Sequence, residues 1–113
     1  MKNEIILYRP NELAEHIEVL FDENTAWLTQ AQIAELFGTN SQAITKHIKN
    51  IYSTGELNKT STCSILEQVQ KEGTRKVKRK LSHYNLDMII SIGYRVNSVN
   101  ATMFRCWATK ILR

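Results

Sequence analysis

The 113-residue sequence predicts a small α+β domain with an N-terminal β-hairpin, a helix-turn-helix, a basic wing-like β-hairpin and C-terminal helices. Three observations carry that prediction. Two short β-leaning runs, EIILY (Glu4–Tyr8) and IEVLF (Ile17–Phe21), flank Pro10 and Asn11, which favour a turn. Two stretches of helical periodicity then meet at Gly38. Finally, the lysine-rich run around Gly73 alternates like a strand before apolar residues return to helical spacing as far as Arg113.

In the second strand Ile17, Val19 and Phe21 alternate with Glu18 and Leu20, which suits a sheet covered on one face. The loop before it contains LAEH, which is also compatible with a helical turn. Asp22-Glu23-Asn24 is a second turn, and Ala26-Trp27-Leu28 can return as a brief third strand. Thr29 suits a helix N-cap, because its hydroxyl can accept from an otherwise unpaired amide of the first turn. Ile33, Ala34 and Phe37 give that helix an apolar face, and Gly38 ends it where a left-handed backbone avoids a Cβ clash. Asn40 or Ser41 caps a second helix that buries Ile44, Ile48 and Ile51. Its outer side carries Ser41, Gln42, Thr45, Lys46 and Lys49. A polar helix after a glycine turn is the helix-turn-helix arrangement, whose second helix enters the DNA major groove. This stretch resembles the helix-turn-helix of Cro-type phage repressors.

Ser53-Thr54-Gly55-Glu56 stops the second helix, and Asn58 to Thr62 reads as a polar loop. Ser64 to Gln70 is compatible with strand or helix, whereas Arg75 to Tyr84 sets Val77 and Leu81 against Lys76, Lys78 and Lys80 in a strand-like alternation. Lys71-Glu72-Gly73-Thr74 is the turn between them, with Gly73 able to take positive φ. Asn85 caps a helix from Leu86 to Tyr94 with Met88, Ile89 and Ile92 as its buried stripe. Gly93 and Asn97 are the expected breaks before a last helix, Ser98 to Arg113, in which Ala101, Phe104, Trp107, Ala108 and Ile111 repeat. The finish within or just after this helix is what the N-terminal domain of a longer protein would show, and residues 1–113 read as one such domain.

Charge is unevenly placed. Residues 1–37 hold seven acidic and two basic side chains, a balance of −5, while residues 38–113 hold thirteen basic and four acidic ones, a balance of +9. Positive charge therefore begins at the glycine turn and suits an acidic partner. The segment KEGTRKVKRK alone carries six basic side chains and one acidic one. Lysines also blunt the edges of sheets, but here they follow a candidate recognition helix and suit phosphate contact.

Several classes find no support. Cys63 and Cys106 lie far apart, outside any metal-binding or redox spacing, and fit a reduced cytoplasmic protein. No apolar cluster approaches the ~20 residues of a membrane span, and EIILY is too short for a secretory signal core. His16, His47 and His83 fall in three different segments, and no phosphate loop, nucleophile elbow or HExxH run occurs. The expectation is therefore a protein that is not an enzyme, with no cofactor and no metal.

A wider likeness is carried by EIILY, by IEVLF followed by WLTQAQIAELFG, by HIKNIY and STGEL, by YNLDMIISIGYRVNS and by ATMFRCWATKILR, in that order. These segments resemble the N-terminal region of the RhuM-type virulence protein family, which is similar to the N-terminal domains of phage antirepressors. SILEQVQKEGTRKVKRK is the least family-like stretch. The resemblance implies DNA binding, brings no catalytic residues, and makes Tyr94, Arg95, Arg105 and Trp107 signature positions.

The combined expectation is a homodimer that binds double-stranded DNA and has no membrane association. Ser41, Gln42, Thr45 and Lys46 would contact base edges beside Lys49, and Arg75, Lys76, Lys78, Arg79 and Lys80 would contact phosphates. The alternative is a protein–protein interaction module of a phage- or virulence-associated protein that makes no direct DNA contact.

Overall fold

The computed structural model describes residues 3–113 and contains one antiparallel sheet with helices over one face. Strands β1 (Glu4–Tyr8) and β2 (Ile17–Phe21) form the expected hairpin, with Ile6 opposite Val19 and Tyr8 opposite Ile17. Asn11 organises the loop between them, its Oδ1 accepting from Leu13 N at 2.9 Å. LAEH forms no helix there. Strand β3 (Ala26–Thr29) pairs with β2 and leads directly into α1 (Gln30–Phe37). After Gly38 come α2 (Ser41–Ser53), α3 (Lys59–Thr62), the long strands β4 (Cys63–Glu72) and β5 (Arg75–Asn85), and then α4 (Leu86–Val96) and α5 (Ser98–Leu112). The strand order is β1-β2-β3-β5-β4, so the short β3 joins the front hairpin to the later one.

Local chemistry accounts for the helix boundaries. Thr29 and Gln32 form a reciprocal capping box at α1, and the Gln32 Nε2 also donates to Glu18 O at 2.8 Å, tying the helix start to β2. Gly38 sits at φ 69°, where a side chain would be strained. Asn40, rather than Ser41, caps α2 by accepting from Ala43 N at 2.9 Å. The core joins Val19, Phe21 and Leu28 of the sheet to Ile33, Ile44, Ile51, Met88, Ile92 and Phe104 of the helices. At its rim Trp107 packs with Tyr8, Phe21 and Phe104.

Two expectations fail, each for a local reason. Asn58 to Thr62 is not a loop, because Asn58 caps the short α3 by accepting from Ser61 N. Thr62 is buried there, donating to Asn58 O at 2.7 Å while the Tyr52 hydroxyl donates to it at 2.8 Å. Gly93 is not a break but lies inside α4, which runs on to Val96. A Cβ at Gly93 would stand 2.5 Å from Phe37 Cζ and 2.7 Å from Ala101 Cβ, so the glycine is where α1, α4 and α5 meet at closest approach. Asn97 is the real break, capping α5 by accepting from Asn100 N at 3.1 Å.

Candidate nucleic-acid interface

The spacing of Ile44, Ile48 and Ile51 turns one side of α2 into the core and leaves the other in solvent. Ser41, Gln42, Lys46 and Lys49 are exposed, while Thr45 and His47 are half-buried. α2 starts beside the β4–β5 ribbon. An open cleft of about 390 Å³ separates them, lined by Gln30, Ala31 and Ser41 on the helical side and by Gln68, Gln70, Leu81 and Ser82 on the ribbon.

The ribbon is a regular two-stranded ladder closed by Gly73-Thr74, with Glu72 opposite Arg75 and Gly73 at φ 63°. Alternation divides its cations between two faces. Lys76, Lys78 and Lys80 share one face, on which Lys76 lines a second open cleft with Ile5, Glu18 and Leu20, whereas Gln70 and Leu81 on the opposite face line the cleft beside α2. Lys71 joins them directly opposite Lys76, a like-charge pair that is unfavourable without an anion nearby. Arg75 and Arg79 lie on the other face, where Arg79 makes a forked ion pair with Glu72 at 2.8–3.0 Å. All five ribbon cations expected from the sequence are exposed, but they are not equivalent.

Two participants escaped the sequence reading. Lys71 could have been found, because a two-residue loop at Gly73-Thr74 fixes its partner as Lys76. Gln30 is the other. It is the first residue of α1, and its Nε2 donates to Ser41 O at 2.8 Å, to Ser41 Oγ at 3.0 Å and to Thr45 Oγ1. Its only signal is its place next to the Thr29 cap, which carries the start of α1 toward the start of α2.

Behind the interface, His83 is buried at 2 % exposure, and its Nδ1 donates to Leu81 O at 2.9 Å. Burial lowers its pKa, keeping the ring neutral, although the carbonyl contact works in the opposite sense. Asp22 is held below the usual carboxylate range. Burial alone would raise it, but hydrogen bonds from Trp27 Nε1, Asn24 N and Thr25 N together prevail. The signature position Arg95 pairs with Glu56 at 2.7 Å. Among the described residues no group of three His, Cys, Asp or Glu side chains is arranged to hold a metal ion. None of the described helices is long and apolar enough to cross a membrane.

The ribbon, α4 and α5 carry the decisive likeness. Residues 61–113 match the model of the Virulence protein RhuM family. The RhuM match bears out the family resemblance read from YNLDMIISIGYRVNS and ATMFRCWATKILR. It also spans the lysine-rich ribbon, which had looked the least typical of RhuM proteins. No curated protein and no solved structure matches the chain.

Proposed function

We propose that this chain is a double-stranded DNA-binding domain of winged helix-turn-helix design with a regulatory role. α2 lies in the major groove and the β4–β5 ribbon acts as the wing. One observation carries this reading: the start of α2, whose outer side is exposed and cationic, stands across an open cleft from the ribbon that bears the exposed lysines, the ribbon's wall of that cleft being Gln68, Gln70, Leu81 and Ser82. A B-form major groove about 12 Å wide admits one helix, which leaves flanking phosphates to a neighbouring element. Gln42 suits adenine and Lys46 suits guanine, each good contact contributing about 1–3 kcal/mol of discrimination. Lys71, Lys76, Lys78 and Lys80 neutralise phosphates whatever the sequence. A homodimer presents two recognition helices to two half-sites, and such a regulator would act in the cytoplasm as a phage antirepressor-like domain.

The test is titration of random-sequence duplex at two salt concentrations, followed by binding-site selection. Binding that weakens steeply with salt, and a selected motif lost in the Gln42→Ala/Lys46→Ala double variant, is the expected outcome. No binding at low salt, or a motif indifferent to both substitutions, refutes the proposal. A protein-interaction module without DNA contact is the second reading, favoured by Ile65 and Val69, which are 61 % and 55 % exposed on the edge strand β4. Stable co-purification of a protein that covers this strand, with no duplex binding, would establish it.

A further inference from the structure

The hydrogen bonds between the two helices dictate which groups of α2 remain to meet a base. Gln30 Nε2 reaches Ser41 O, Ser41 Oγ and Thr45 Oγ1 together, and Thr45 Oγ1 itself donates to Ser41 O at 3.0 Å. The Thr45 hydroxyl thus accepts from Gln30 and spends its single hydrogen on the backbone. A threonine so held has no hydrogen left to donate to a base and keeps only one lone pair beside its methyl, which is a natural contact for the 5-methyl group of thymine. Ser41 accepts from Gln30 through Oγ and keeps one hydrogen to donate. Gln42 and Lys46 are exposed and retain their full hydrogen-bonding capacity at the same end of the helix.

We propose that Gln30 is a specificity-determining positioning residue. By engaging the hydroxyls of Ser41 and Thr45 it makes Thr45 a reader of a thymine methyl and leaves hydrogen-bonded base readout to Ser41, Gln42 and Lys46. The assignment rests on the DNA-binding reading above. It reverses the simplest view of Thr45, in which the hydroxyl touches the base. It also gives the α1–α2 turn a role beyond support, because Gln30 acts on sequence choice without meeting the DNA.

Binding-site selection on the full chain and its variants tests this, with salt dependence measured in parallel. Thr45→Val keeps a methyl where the base would sit and should select the wild-type motif. Thr45→Ser keeps the hydroxyl, loses the methyl, and should lose preference for thymine over uracil at one position by roughly fivefold or more. Gln30→Ala should broaden the motif at that position while leaving the salt slope and the melting temperature nearly unchanged, which separates positioning from loss of fold. If the wild type selects a motif and Gln30→Ala selects the same one, or Thr45→Val changes it, the role given to Gln30 is wrong and DNA binding stands. If the wild type binds no duplex at low salt, the DNA-binding reading falls and this role falls with it.

Discussion

Gly93 shows how one missing atom can position three helices. Its Cα faces Phe37 and Ala101, both buried, so neither neighbour can retreat into solvent. Gly93→Ala would gain helix propensity worth about 0.5–1 kcal/mol, but overpacking a closed core typically costs about 1–3 kcal/mol. The contact distances favour the second effect, so urea denaturation should show a net loss. His83 supplies a pH-dependent counterpart. Its folded pKa lies below the ordinary 6.5, so above that pH neither state is protonated and stability is unaffected. As pH falls below 6.5 the unfolded chain takes up a proton that the buried ring refuses, and stability declines. Denaturation midpoints should therefore drop between pH 7.5 and 5 in the wild type, and drop less in a folded His83→Gln variant.

At the scale of elements, the ribbon carries the most informative contrast. Lys76, Lys78 and Lys80 share one face, whereas Arg79 lies on the other and is already paired with Glu72. Under the proposed function, each lysine changed to alanine should flatten the log–log salt dependence of duplex binding by about 0.9. Arg79→Ala should change it less, and equal slopes for all four variants would contradict the division of faces. How legible the elements were follows from the range of the forces that shape them. Thr29, Gly38 and Asn85 act on their own helix ends, and their roles could be read from neighbouring residues. Gly93 could not, because a glycine in a helix looks like a stop until Phe37 is seen against it. Asn58 to Thr62 was polar enough to suggest a loop, yet it is Tyr52, ten residues earlier, that holds Thr62 inside. Of the candidate site, the exposed face of α2 was legible from the isoleucine spacing, while the two-sided ribbon and the Gln30 contacts needed the register and the turn geometry.

For the molecule as a whole, the sheet order matters more than any single contact. β3, from the front of the chain, pairs with β5 from the back, through Trp27 opposite Asn85 and Leu28 opposite Tyr84. Leu86 N is held by Thr25 Oγ1 at 3.1 Å, and Phe37 fills the notch left by Gly93. The RhuM match therefore covers a hairpin and two helices whose apolar faces are covered largely by residues outside it. A segment of 53 residues with so little core of its own is marginal. Residues 61–113 made alone should lack cooperative thermal unfolding by circular dichroism and recover it when residues 1–60 are added as a separate chain. A boundary of recognisable ancestry thus runs through the middle of a cooperative structure, and anyone trimming this protein to its recognisable part would be cutting a single sheet in two.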